Sequence, residues 1–402
     1  MSTRTQIAAG SRFSTQTVIF YLLCASFVVN GIIITFIGPI LPVFIAKWNL
    51  DDSRAGLFSF TQFSGSIAGV LGSSVLTSAK GFKPAITIGL AMMGIGFALL
   101  DAPTFPLALA ASAFYGVGYG LSTPGTNLWV GESYGERRAS ALNVINLAWG
   151  AGAICASPLV MLTVRKAQVP LLLYIVGAIC VAIAAALLRI PFEKPPGKGL
   201  PFSANPGSGS VKTSASAAGT WIAILLGVLF FVYVGTENGI SYWAPAHAKR
   251  AATWAANTWT LAPMFFFAGL LGGRGVAAAI LMRLKERAVA VGGVLLAAAS
   301  ELIFLSAHSP VVLFTSVFFA GLGMASLYPI FIAWLSEWFG ARARKVGGVL
   351  FALAAGGGAV MPPLVGVVSR QAASLSIGLL VPFAGCLIML AVIVALRPRQ
   401  RA

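Results

Sequence analysis

Long apolar runs, each about as long as a bilayer is thick, alternate along this chain with short segments that carry most of its charge. About 20 mostly apolar residues cross a hydrocarbon core. Twelve stretches fit: 17–46, 54–77, 84–101, 106–131, 139–163, 168–190, 219–245, 256–282, 288–306, 309–335, 345–369 and 374–396. Each predicts a helix, because a helix satisfies its own backbone groups where no water is present. The third and ninth are short. One long polar stretch, 191–218, separates the sixth from the seventh and is rich in Pro, Gly, Ser and Lys. It reads as a flexible linker. The expected fold is all-α: a six-helix bundle over 1–190, a cytoplasmic linker over 191–218 and a second six-helix bundle over 219–402.

The two halves repeat one another. Shifted by 205 residues without a gap, Phe114 to Pro158 lands on Phe319 to Pro363. Gly116, Gly118, Pro124, Trp129, Glu132, Gly135, Arg137, Gly152 and Pro158 fall on Gly321, Gly323, Pro329, Trp334, Glu337, Gly340, Arg342, Gly357 and Pro363. A period of half the chain marks a duplicated pair rather than a solenoid.

Composition fixes the solvent. Of 402 residues, 58% are hydrophobic and 9% charged, against roughly 25% charged in a soluble domain. Such a chain cannot cover itself with polar surface, so its partner is the lipid bilayer. The net charge of +17 then reflects basic residues gathered in cytoplasmic loops, not nucleic-acid binding. With the N-terminus inside, nineteen of the 27 Lys and Arg lie on the inner side and seven on the outer, leaving Arg274 within a span. Both termini are therefore expected in the cytoplasm, the first span is retained rather than cleaved, and a bacterial inner membrane is the expected location. Cys24, Cys155, Cys180 and Cys386 stand singly, so neither a disulfide framework nor a metal site is expected. No nucleophile–base constellation appears, which excludes an enzyme reading.

Twelve spans, a central linker and a twofold repeat resemble the major facilitator superfamily over essentially the whole chain. Glu132 with Gly135, Glu136, Arg137 and Arg138 is similar to that family's charged motif between spans four and five. Glu337 with Gly340, Arg342 and Arg344 is similar to its echo between spans ten and eleven. The resemblance implies a cytoplasmic gate at both places, an acidic helix end latched by arginines of the adjoining loop. Ser78 to Lys83 departs from the family's acidic–basic–Gly–basic loop, since it has no aspartate. A further resemblance, to the fucose and glucose proton-symporter branch, rests on Gly235-Thr236-Glu237-Asn238-Gly239, on Trp243, and on the asparagines of spans four and five.

A charge or amide inside lipid costs free energy unless it is paired or used. Glu237, in span seven, is the candidate proton carrier, since a carboxylate in an apolar setting can take up and release a proton during a cycle; a structural carboxylate is the alternative. Asn30, Gln62, Asn127, Asn143, Asn146 and Asn238 offer donors and acceptors suited to hydroxylated solutes, or else interhelical hydrogen bonds. Trp149 is the stacking candidate, and Trp243 and Trp259 read as an interfacial belt. Arg274 and Glu301 are not paired with one another, because their estimated depths differ.

The expected function is secondary transport by a monomer working by alternating access, taking up a small polar solute such as a monosaccharide with a proton and needing no cofactor. The alternatives are efflux of amphipathic compounds, which abundant Phe such as Phe265-Phe266-Phe267 would suit, and a non-transporting receptor on the same fold. The repeat also predicts symmetric gating but an asymmetric site, because Asn143, Asn146 and Trp149 face Gly348, Phe351 and Ala354 in the second copy.

Overall fold

The computed structural model describes residues 3–192, 217–255 and 257–396, so most of the expected linker lies outside the described residues. The helices are, in order, α1 (Thr3–Thr35), α2 (Ile37–Trp48), α3 (Asp52–Ala55), α4 (Leu57–Lys80), α5 (Phe82–Ala98), α6 (Phe105–Ser133), α7 (Arg138–Arg165), α8 (Val169–Arg189), α9 (Ala217–Ala251), α10 (Ala262–Leu281), α11 (Glu286–Ser306), α12 (Pro310–Met324), α13 (Leu327–Phe339), α14 (Ala343–Gln371), α15 (Leu375–Gly378) and α16 (Leu380–Ala395). No strand occurs among the described residues.

Ten of the expected spans are helical segments long and apolar enough to cross a membrane. The second and fourth positions hold α4 and α6, of 24 and 29 residues. They are as long as their neighbours, but Ser, Thr and Gly dilute their apolar character. The count of twelve is thus not reached on apolarity alone.

Proline decides where two spans break. Pro39 cannot donate to Thr35 and crowds its carbonyl, and the first expected span divides there into α1 and α2. Pro329 stands in the same relation to Ala325, where the tenth divides into α12 and α13. Its repeat partner Pro124 leaves α6 continuous.

The chain forms two compact units. The first comprises Met1–Ile34, Gly65–Ala153 and Gln168–Ser208. In it α5 packs on α6 and α8. A Cβ built on Gly118 would lie 2.5 Å from the carbonyl oxygen of Gly89, so only glycine admits this approach. The Lys83 ammonium caps α8 by donating to the carbonyls of Leu188 (2.8 Å) and Ile190 (3.0 Å).

The second unit comprises Thr35–Ser64, Ile154–Ala167 and Gly209–Ala402. It reproduces the first unit's internal devices. A Cβ on Gly323 would lie 2.5 Å from the carbonyl of Gly293, and Arg287 caps α16 by donating to Val394 at 2.5 Å. Both repeat copies also turn through a short 3-10 segment, 135–137 and 340–342, at glycines with φ of 47° and 50°. A side chain is strained at such angles.

Within the second unit, α9 is the hub, packed against α14, α16 and α2. Trp243 shows how. It is fully buried and donates its indole N–H to the Pro362 carbonyl at 2.8 Å, so it is an interior anchor rather than part of an interfacial belt. Trp259 is buried as well, with the Lys249 ammonium 5.1 Å from its ring.

Candidate functional site

In the second unit, polar groups converge on the middle of α9. Tyr233 and Glu237 are one turn apart and so share a face. The Tyr233 hydroxyl donates to the Glu237 carboxylate, and Glu237 is half-buried. The Tyr233 ring lies 5.6 Å from that of Tyr328 and 6.1 Å from that of Phe331, both on α13. Arg274, exposed on α10, acts electrostatically on Glu237 and Tyr233. It makes no hydrogen bond or ion pair among the described residues. Asn238 is half-buried, and its amide is already engaged with the Val234 carbonyl of its own helix at 2.8 Å.

Glu301, on α11, is a separate matter. It is buried, neither carboxylate oxygen has a hydrogen-bond partner among the described residues, and it acts on Cys386 of α16 rather than on Arg274.

In the first unit, α1 and α7 touch where Gly31 meets the Trp149 carbonyl, which brings Asn30 and Trp149 to neighbouring turns. Asn30 is buried and its carbonyl oxygen has no partner among the described residues. Asn143 and Asn146 are exposed, and Asn146 donates to Leu142 of its own helix at 2.9 Å. Asn127, on α6, is half-buried with an unpartnered carbonyl oxygen. Gln62 is buried in the second unit. Two of the six amides thus spend a donor on their own helices.

A second polar constellation was not anticipated, and it joins residues distant in sequence inside the second unit. Asn49 ends α2 in the left-handed conformation (φ 49°), and the Asp51 side chain caps α3 by accepting the Arg54 N–H at 2.8 Å. This tight turn presents Asp52. Arg250, in the last turn of α9, grips its carboxylate through two nitrogens at 2.6 and 2.8 Å. Ser369 of α14 donates to the same carboxylate at 2.5 Å. Arg370 stands 3.5 Å from Asp51, largely in the open.

Below this clasp, Tyr242 donates to the Ala55 carbonyl at 2.7 Å. Ser59 donates to Gly358 at 3.0 Å. That carbonyl is left without its helical donor because Pro362 has no N–H, so the serine answers a vacancy the proline creates. The sequence signal was faint: Asp51 and Asp52 are rare acids among sparsely charged loops, and nothing in the chain order names their partners.

At the two repeat motifs, Glu132, Arg137 and Arg138 are exposed, and no ion pair joins them among the described residues. Glu337 and Arg342 are exposed too, while the side chain of Arg344 lies outside the described residues. Among the described residues no group of three or more His, Cys, Asp or Glu could hold a metal ion.

A family model described as Major Facilitator Superfamily matches residues 23–287. A comparison with curated proteins finds no match. Among solved structures, a bacterial homolog of the human lysosomal transporter Spinster is similar over 94% of each chain at 15% identity, with a TM-score of 0.72. The nucleoside transporter NupG is similar over 94% of this chain and 98% of its own, at 12% identity and TM-score 0.74. The E. coli fucose:proton symporter FucP is similar over 95% and 99%, at 18% identity and TM-score 0.61. At such identities the likeness is one of fold.

Proposed function

The chain belongs to the Major Facilitator Superfamily, and on that premise we propose that it is a secondary active transporter that takes up a small polar solute together with a proton. The observation that carries this reading is Glu237, a half-buried carboxylate inside a span, hydrogen-bonded by Tyr233 and within the field of Arg274. Such a group can exchange a proton without unfolding its surroundings. Alternating access supplies the cycle, with the halves 1–190 and 219–402 as the moving bodies and both termini in the cytoplasm of a bacterial cell.

The Asp52–Arg250–Ser369 clasp supports the same reading. It ties a turn from the first half of the chain to helices of the second, at what the charge distribution makes the outer side. A solute entering from outside requires that clasp to open. The gate motifs around Glu132 and Glu337 are its inner counterparts.

A monosaccharide is the leading solute class, since amides at Asn30 and Asn127 retain unpartnered oxygens and the FucP neighbour is a fucose:proton symporter. Efflux of greasy compounds is less favoured. Phe266 and Phe267 are buried in packing and Phe265 stacks on Phe314 at 4.4 Å, so these rings are engaged with neighbouring side chains.

Purified protein in liposomes gives the test. Counterflow of labelled monosaccharides, and uptake driven by an inward proton gradient, are expected. Absence of counterflow for every monosaccharide would remove the sugar reading, and gradient-independent uptake would remove proton coupling.

A further inference from the structure

The buried face of α11 is a regular stripe. Ala290, Val294, Ala297, Glu301 and Phe304 recur at helical spacing, and each is at most 1% exposed. Four of them are apolar. The other, Glu301, lies toward the Ser306 end of the span Glu286–Ser306, and both its carboxylate oxygens lack a hydrogen-bond partner among the described residues. Packing closes over it from either side along the helix. About one turn before it, the Ala297 nitrogen would lie 2.7 Å from a Cβ built on Gly323 of α12. About one turn after it, the Phe304 carbonyl oxygen lies 3.1 Å from Nε2 of His247 on α9.

The neighbouring helices offer Glu301 no counter-charge. α11 packs against α16, α12, α13 and α10. Cys386 is the titratable side chain of α16 and faces Glu301. α12 has none, α13 brings Tyr328 and Glu337, and α10 brings Arg274. None of these bonds or pairs with Glu301 among the described residues. A second orphan borders the same helix. Thr236, beside Glu237 on α9, is buried with no partner for its hydroxyl among the described residues, and a Cβ on Gly385 of α16 would collide with that hydroxyl. Thr236 and Glu301 thus border consecutive residues of α16, Gly385 and Cys386.

An ionised carboxylate in this place would have neither counter-charge nor donor nor water, which is strongly unfavourable inside a membrane. The neutral acid avoids the charge but still leaves a donor and an acceptor unsatisfied. A merely structural position would be better filled by another apolar residue, as the rest of the stripe is. A group left unsatisfied in one packing biases the chain toward another packing that satisfies it.

We propose that Glu301 is a second proton-binding site of the transport cycle, occupied while α16 is packed on α9 and α11 and emptied when α16 separates and admits water to Glu301 and Thr236. The role rests on the proton-coupled transport proposed above and sets its stoichiometry. Two protons accompany each neutral solute, one on Glu237 and one on Glu301. Proton release and separation of α16 favour one another by the same factor.

Infrared spectra of the purified protein in D2O read the proton directly. Wild type at neutral pH is expected to show a protonated-carboxyl band that Glu301→Gln removes. Identical spectra in that region would overturn the proposal. Liposomes then give the stoichiometry, with valinomycin and equal potassium holding the potential at zero. Net flux of labelled fucose or glucose against a preset sugar ratio vanishes where the pH gradient balances that ratio. A gradient of about one pH unit balances about tenfold for each coupled proton. The expected balance is therefore about a hundredfold in wild type and about tenfold in Glu301→Gln. Melting curves in detergent identify variants that fail to fold, and the wild-type ratio alone keeps the test decisive if Glu301→Gln is lost. A wild-type balance at about tenfold would overturn the second site and leave the role of Glu237 standing. Sugar flux that no pH gradient can balance would overturn proton coupling itself, and this proposal with it.

Discussion

Two nitrogens of Arg250 meet the two carboxylate oxygens of Asp52 at 2.6 and 2.8 Å, across 198 residues of chain. The parallel fork is the strongest geometry open to these side chains. Asp52 is only 12% exposed, whereas Arg250 is 44% exposed, so solvent still screens the arginine and the pair is worth roughly 1 kcal/mol rather than several.

Breaking this pair is expected to shift a conformational equilibrium more than it unfolds the protein. About 1 kcal/mol corresponds to about a fivefold change in population. Ser59, buried beneath the clasp and bonded to Gly358, reports on it. With the four native cysteines replaced, Ser59→Cys should react about fivefold faster with a membrane-impermeant maleimide when Arg250→Gln is added. Unchanged labelling would mean that the contact has no part in closure.

The same clasp predicts a pH dependence of definite sign. Burial pushes the Asp52 carboxyl up, but hydrogen bonds from Arg250 and Ser369, together with the Arg250 charge, outweigh it and hold the group below its ordinary value of 3.8. A group depressed in the closed form stabilises that form above 3.8 and ceases to do so as pH falls through the lower, clasped value. Ser59→Cys labelling should therefore stay level from about pH 8 to 5 and rise only below about pH 4. A rise near neutrality would point to another group.

Glu237→Gln keeps the shape and the acceptor for Tyr233 but cannot exchange a proton. Uptake driven by a pH gradient is expected to fall by about tenfold or more, the usual scale of coupling between two ligands. Counterflow without a gradient should remain within a few-fold of wild type. Loss of both in parallel would make Glu237 a structural or solute-binding group instead.

The glycine contacts predict equal sensitivity in the two halves. Gly118→Ala and Gly323→Ala each place a methyl 2.5 Å from a backbone carbonyl of the facing helix. Overpacking of this kind costs about 1–3 kcal/mol, visible as a lower melting temperature for either variant in detergent. A neutral effect in one half alone would show that its helices can separate.

The chain by itself determined the helices and the duplication. A bilayer leaves one solution for a long apolar run, and the 205-residue register of Gly, Pro, Trp, Glu and Arg reappears as matching turns at Gly135 and Gly340. It also singled out Glu237, since a carboxylate amid apolar residues stands out in one dimension. What it could not give was partnership. Tyr233 lay four residues from Glu237 and was legible as a helical neighbour, but Arg274 required the packing of α10 beside α9. The clasp was further still from view, because Asp52, Arg250 and Ser369 stand on three elements whose approach depends on a left-handed Asn49 and on a carbonyl freed by Pro362. Hydrophobic periodicity fixes what enters the membrane, whereas polar pairing is settled by which helix ends meet, and that is a property of tertiary packing alone.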